Sequence, residues 1–352
     1  MMKPLVLLGL ALFHLVAVVS GAVLADLVTF QPGTTFGGCD LRRADLDTWY
    51  SEILESLQTT LGGITEYNSR TADGERVRKL MFDFFRIPMT IPVSNSLKPL
   101  VQQVADKLNA VADWLQDELN NIPQARTFFF CDSTFLVLKD AQLNQAQDFQ
   151  GNGIVNATTG QPVNIFQINA YARALAGGNV PWWSGDHTPV NGYYITSPQS
   201  GGNYCNGEDF GLTATLKALD ANGNEIRNQQ VQMVIICPYS FTQNAPVSYR
   251  QAVGTITANT PLNMYVPKSS SLLHEAFHVV FGDQMFDGDG ETYGLAECIE
   301  VGKINIQSSR KNPENYVYFI AAMHYIFGDA MEGITTNWDF ATNTPQRAVQ
   351  IP

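Results

Sequence analysis

Residues 272–294 read LLHEAFHVVFGDQMFDGDGETYG. On a helix, His274 and His278 stand four residues apart and project from one face, so both imidazoles can ligate a single cation. Glu275 lies one step round the helix, where its carboxylate reaches a water on that cation and takes its proton while the metal lowers the water's pKa. The bland alternative is a core helix with two satisfied histidines. Three features favour chemistry: an N-terminal leader, acidic residues downstream, and a strand-like segment ending near Cys237 that suits the edge of a substrate cleft.

A zinc site needs a third protein ligand and one open position. The extended HExxHxxGxxH pattern is absent, because Phe281 and Gln284 stand in its glycine and histidine places. His14 falls in the leader, and His187, in a polar segment, and His324, in a late helix, read as structural. An acid is the better third ligand: Asp287, Asp289 and Glu291 lie in the glycine-bearing loop FDGDGETYG, and Glu297 begins a helical stretch.

The motif helix is itself apolar, with Leu272, Leu273, Ala276, Phe277, Val279 and Val280 around the histidines, which predicts burial and a rigid setting for ligands. Upstream, LRRADLDTWYSEILESLQTTL, ERVRKLMFDFFRI and SLKPLVQQVADKLNAVADWLQDEL repeat apolar residues at helical steps, the last ending at Asn121 and Pro123. RTFFFCDSTFLVLKD then turns to strand character. Residues 140–204 are rich in Gly, Asn, Gln, Ser and Pro and read as a surface insertion without a core of its own. LTATLKALDANGNEIRNQQVQMVIIC predicts a hairpin turning at ANGN.

At 352 residues, 45% hydrophobic and 15% charged, the chain is that of a folded protein. Its net charge of −12, with 21 Lys and Arg scattered among 33 Asp and Glu, excludes a basic nucleic-acid stripe. Lys3, the apolar run Leu5 to Val19 and the small residues that follow form a secretory leader, residues 1–25, with cleavage after Ala22 or Ala25. No later segment is long and apolar enough to span a membrane. Cys39, Cys131, Cys205, Cys237 and Cys298 follow the leader without a CxxC pair, so disulfides are expected with one thiol left over. Asn156-Ala157-Thr158 is a usable glycosylation sequon.

HEAFH, an aspartate in a Gly-rich loop, Tyr293-Gly294, LAECIEVGKI and NPENYVYFIAA together resemble the aspzincin metallopeptidases, the deuterolysin and lysine-specific metalloendopeptidase family. The family pattern is HExxH, a D-x-x-Y-G loop and a later N-A-D-x-Y helix; the resemblance covers most of 39–328 apart from the insertion. It implies an α+β, mostly helical zincin-type fold with a small β-sheet edging the active-site cleft. It implies a catalytic domain over 26–335, with a helical half at 39–130, an insertion at about 140–200, a zinc-binding half at 205–335, and a tail at 336–352. It implies one Zn2+ held by His274, His278 and Asp289, with Glu275 as general base and Tyr293 steadying the oxyanion. Asp289 is chosen by its offset from Tyr293, although Asp289-Gly290-Glu291-Thr292-Tyr293 is one residue longer than D-x-x-Y. Glu314, at the aspartate position of the later helix, implies a weak contact to a cationic substrate side chain, with Val317 where a second acid would stand. The resemblance also pairs Cys39 with Cys131 and Cys205 with Cys237, leaving Cys298 free.

The function expected is a secreted, monomeric zinc endopeptidase acting on peptides or proteins, with no nucleic-acid partner and no membrane association once the leader is cleaved. The competing class is a secreted binding or effector-like protein that keeps the fold without turnover. The family's pro-segment between leader and catalytic domain has no counterpart here.

Overall fold

The computed structural model describes residues 23–91, 97–116, 127–188, 191–196, 203–285, 290–328, 338–341 and 347–351. The leader through Ala22, the helix-ending Asn121 and Pro123, and both Asp287 and Asp289 lie outside them. The described chain opens with α1 (Leu24–Leu27) and β1 (Thr29–Phe30), and Leu24 and Leu27 are already buried. In α2 (Arg43–Ile64), Leu46, Trp49, Tyr50, Ile53 and Leu57 recur at three- and four-residue steps and form one buried stripe. In α3 (Ala72–Phe85), the Thr71 hydroxyl caps the first turn by accepting from the Gly74 N–H at 3.1 Å, and Arg86 ends the helix in the left-handed conformation. The third expected helix is α4 (Lys98–Leu115), with Pro99 in the first turn, where its missing N–H costs nothing.

The sheet is larger than the sequence implies. To β1 the chain adds β2 (Thr127–Phe130) and β3 (Val137–Leu138), then, after the short helix α5 (Asn169–Ala176), β4 (Val180–Trp183), β5 (Tyr193–Thr196), β6 (Gly211–Leu219) and β7 (Glu225–Ile236). These seven strands form one sheet in the order β1-β2-β7-β6-β5-β4-β3. β1, β2 and β7 run parallel, and the pairs from β7 to β3 are antiparallel. The β6–β7 hairpin turns at Asp220, whose Oδ1 accepts from the N–H groups of Asn222 and Asn224 at 2.8 and 2.9 Å, as the ANGN signal predicts. The 140–200 segment is not bare surface cover: it supplies β4, β5 and α5, and Ile154, Ile165, Ile168, Tyr171, Trp183 and Tyr193 close a small apolar cluster of their own. Its strands are four residues long and polar-flanked, so their pairing comes from contacts distant in sequence and left no alternation to read.

After β7 come α6 (Pro238–Thr242), α7 (Tyr249–Val253), α8 (Ser270–Phe281), α9 (Leu295–Ile304), α10 (Ile306–Ser309) and α11 (Pro313–Phe327). α11 is buried on every side from Tyr316 to Tyr325 and packs against α2, α3 and α8, which makes it the central post of the helical layer. Alternation along the strands splits the core: Phe129, Val234 and Ile236 face the helices, whereas Phe130, Met233 and Ile235 face the opposite side. The expected tail is folded in part, since β8 (Trp338–Asp339) pairs with β9 (Val349–Gln350). Phe340 is fully buried beside the rings of Tyr265 and Tyr325, and Asp339 takes an ion pair from Arg76 at 3.1 Å.

Two disulfides join Cys39 to Cys131 and Cys205 to Cys237, and Cys298 is free and buried, the pairing that the resemblance implied. The links close loops of 92 and 32 residues. Loops of that size remove unfolded-state entropy worth about 3–5 kcal/mol each in the chain-entropy account. No helix among the described residues is long and apolar enough to cross a membrane.

Candidate metal centre and cleft

α8 is held at both ends before any ligand is considered. At its start the Ser269 hydroxyl donates to Glu52 Oε2 on α2 at 2.5 Å, and near its end the Gln232 side-chain amide of β7 donates to the Val279 carbonyl at 3.0 Å. Leu272, Leu273, Ala276, Phe277 and Val279 are buried around the middle turn. The helix therefore cannot rotate without breaking its packing, and His274 and His278 stay on one face.

Their two Nε2 atoms are 3.3 Å apart. Two nitrogens bound tetrahedrally at zinc distances are separated by about 3.3 Å, so the imidazoles already span one edge of such a polyhedron. Glu291 supplies the next corner, with Oε1 2.9 Å from His278 Nε2 and Oε2 3.4 Å from His274 Nε2. One ligand atom from each of His274, His278 and Glu291 falls within 4.8 Å of the others, and this group can hold a metal ion. His274 Nδ1 is 3.0 Å from Glu314 Oε2 at the start of α11. A carboxylate on the far nitrogen fixes the tautomer that leaves Nε2 free to ligate. Burial opposes charge on His274, but the hydrogen bonds to Glu291 and Glu314, with the nearby Glu275, outweigh it and raise its pKa to about 10. A metal entering there must displace that proton. Burial works against the Glu291 carboxylate too, and its bonds to the two histidines overcome this and hold its pKa below the ordinary range.

The loop that delivers Glu291 is clamped from behind. The Asn312 side chain accepts from the Thr292 N–H at 3.1 Å and donates to the Thr292 carbonyl at 2.8 Å. The Cys298 thiol donates to the same carbonyl at 3.2 Å, and the Tyr318 hydroxyl donates to the Tyr293 carbonyl at 3.1 Å. Asn315, fully buried, accepts from Asn312 and donates to the carbonyls of Phe84 and Cys298. One short stretch, Asn312 to Asn315, thus positions both His274 and the loop.

Glu275 is buried, and its Oε2 accepts from the Thr213 hydroxyl of β6 at 2.7 Å. Burial raises its pKa, against the pull of both imidazoles and the Thr213 bond. It reaches the strand because residue 211 is glycine: a β-carbon there would stand 2.6 Å from Glu275 Oε1. A cleft of about 620 Å³ opens over this group, lined by Glu275, the candidate metal-binding trio, Tyr293, residues 211–215 of β6, residues 193–195 of β5, and Ala170, Tyr171 and Ala174 of α5.

Among the residues expected from sequence, His274, Glu275 and His278 come together as the motif implies. Tyr293 stands at the same site, its ring stacked on His274 at 5.6 Å and its hydroxyl donating to Glu291 Oε2 at 2.6 Å. Asp289, the expected third ligand, lies outside the described residues, and the carboxylate the structure brings to both imidazoles is Glu291. Glu314 is engaged with His274 and does not line the cleft, and Val317 is buried in the core. His187 stacks on Phe36 and His324 on Tyr249, both outside the metal-binding group. Gly211 and Thr213 carried no signal, since each acts through a partner distant in sequence, whereas Asn312 was marked only as the first residue of NPENY, with no role attached. No family model matches the chain, and there is no significant match among curated proteins or solved structures.

Proposed function

We propose that the protein is a secreted zinc-dependent peptidase of the aspzincin kind, hydrolysing peptide bonds with Glu275 as general base. The observation that carries the reading is the placement of Glu275: a buried carboxylate beside three metal-binding side chains, held by Thr213 at the wall of an open cleft. His274, His278 and Glu291 would hold the zinc, and the bound ion supplies Lewis acidity. Glu275 takes the proton of the attacking water and passes it to the leaving amine. Its raised pKa favours that exchange over permanent ionisation. Tyr293 stands at the mouth of the site, and its hydroxyl, which donates to Glu291 Oε2 here, would become the donor for the oxyanion once that carboxylate takes the metal. Glu314 keeps His274 in the ligating orientation, so it is unavailable as a selector for cationic side chains, and lysine preference is not expected.

Secretion is supported by the two disulfides and by the leader sequence. The test of the whole reading is the metal content of the purified protein, with hydrolysis of a mixed peptide library before and after chelation and after zinc is restored. Activity indifferent to chelation removes the zinc mechanism, and bound metal without cleavage of any peptide favours the binding-protein alternative.

A further inference from the structure

The cleft has two walls of different origin. One carries the candidate metal group of α8 with Glu291 and Tyr293, and the other is built from Ala170, Tyr171 and Ala174 of α5, residues 193–195 of β5, and Tyr204. α5 and β5 belong to the 140–200 segment that the family resemblance does not cover, so this second wall is the chain's own.

α5 is oriented by its buried face. Tyr171 and Leu175, four residues apart, sink into the cluster that holds Ile168, Trp183 and Tyr193. Ala170 and Ala174 stand one step round the helix and line the cleft. The Tyr171 hydroxyl donates to the Lys217 carbonyl at 3.2 Å and ties the helix to β6. Thr213, which donates to Glu275, precedes Lys217 by four residues on that strand, a span of about 13 Å. A chain bound at the metal group therefore meets α5 within about four residues of the bond being cut.

This wall offers a guest no free charge. Away from the metal group, the charged lining side chain among the described residues is Lys217, and it is paired with Glu225 at 3.4 Å. The Tyr171 hydroxyl is engaged by Lys217, and that of Tyr193 accepts from the Gln147 N–H at 3.0 Å. Tyr194 and Tyr204 pack edge to face, 6.0 Å between ring centroids, and Tyr204 meets Trp182 in the same way at 6.4 Å. An ammonium or carboxylate held here would lose water without gaining a partner, whereas a ring or an aliphatic side chain meets methyl groups and ring faces.

Building on the peptidase reading, we infer that the α5–β5 wall is a selectivity subsite: the substrates are peptides with an aromatic or large aliphatic side chain at one fixed position within about four residues of the cut bond, seated against Ala170, Ala174 and Ile195. The position is counted from the cut bond and not from a chain end, so internal bonds of long chains qualify.

The experiment uses the zinc-loaded protein and long unstructured peptides of varied sequence, with cut sites mapped by mass spectrometry. Expected at one offset from the cut is an enrichment of Phe, Tyr, Leu, Ile and Met over Asp and Lys by about tenfold or more. Ala170 is exposed in the first turn of α5, where an acid suits the helix, so Ala170→Asp should fold and turn the preference at that offset towards Lys and Arg. Ala174→Phe, which fills the wall, should turn it towards Gly and Ala. Binding of fluorescent peptides to the zinc-loaded Glu275→Gln protein, read by anisotropy, should show the same preference and the same two shifts. Cleavage with no preferred offset, a charged residue preferred by the parent, or a preference that neither variant moves overturns the inference and leaves the peptidase reading standing. Peptides bound with this preference and never cut overturn the peptidase reading and leave the subsite. Neither cutting nor binding overturns both. If Ala174→Phe does not fold, Ala170→Asp still decides.

Discussion

Gly211 and Glu275 share one space: the carboxylate oxygen of Glu275 lies 2.6 Å from where a β-carbon on residue 211 would be. The Glu275 carboxylate, the proposed general base, is therefore seated by an absent side chain on the strand as much as by its own helix. Gly211→Ala should push the carboxylate off the strand and lower kcat by about tenfold or more while metal content is unchanged. Glu275→Gln, which keeps the shape and removes the proton acceptor, should lower it by at least about a hundredfold with metal retained. Steady-state kinetics with metal analysis on both variants checks this, and a fully active Glu275→Gln protein would exclude the assigned base.

The ligand set separates by metal affinity. Glu291→Ala should abolish stoichiometric zinc. Glu314→Ala should weaken zinc binding by about 10–100-fold by freeing the His274 ring, and Glu314→Gln, which can still accept from Nδ1, should fall between it and the parent. Asp289→Ala should retain the metal. Competition with a chromogenic chelator measures all four, and zinc loss confined to the Asp289 variant would restore the register implied by the family pattern.

Glu52 makes stability depend on pH. Burial raises its pKa to about 7, against the bonds it accepts from Ser269 and the Tyr249 N–H. The folded form therefore binds this proton more tightly than the unfolded chain does. Its contribution is favourable below the ordinary carboxylate range and is lost as pH rises towards 7. Glu52→Gln, whose amide can serve both bonds, should gain about 1–3 kcal/mol over the parent at pH 8 and nothing at pH 4. Urea melts at the two pH values test the sign.

The first described residues limit where a leader can be removed. Leu24 is fully buried in the main core and its N–H donates to Asp47 Oδ1 at 3.3 Å. Cleavage after Ala25 would remove that side chain, whereas cleavage after Ala22 spares it. The mature protein should begin at Val23, as intact-mass measurement of secreted material will show, and Leu24→Ala should cost about 2–4 kcal/mol.

The sequence by itself determined what is local. HEAFH carries its own geometry, because a four-residue step on any helix puts two imidazoles on one face, and the apolar stripes of α2, α3 and α4 follow from the 3.6-residue period. The hairpin around Asp220 is local in the same way, its turn built by the Asp220 carboxylate accepting from backbone N–H groups two and four residues on. The tertiary structure decided what depends on distant partners. Which acid meets the histidines depends on how Asn312, twenty residues on, grips Thr292, and that grip presents Glu291. Glu314 turned out to face His274 because α11 starts beside α8, a packing fact no spacing encodes. The seven-stranded sheet was hidden for the same reason: β4 and β5 are too short to show alternation, and their order is fixed by β6, a strand that follows them in the chain. The cleft draws its lining from α5, β5, β6 and α8, so it belongs to a relation between elements that no one element's residues specify alone.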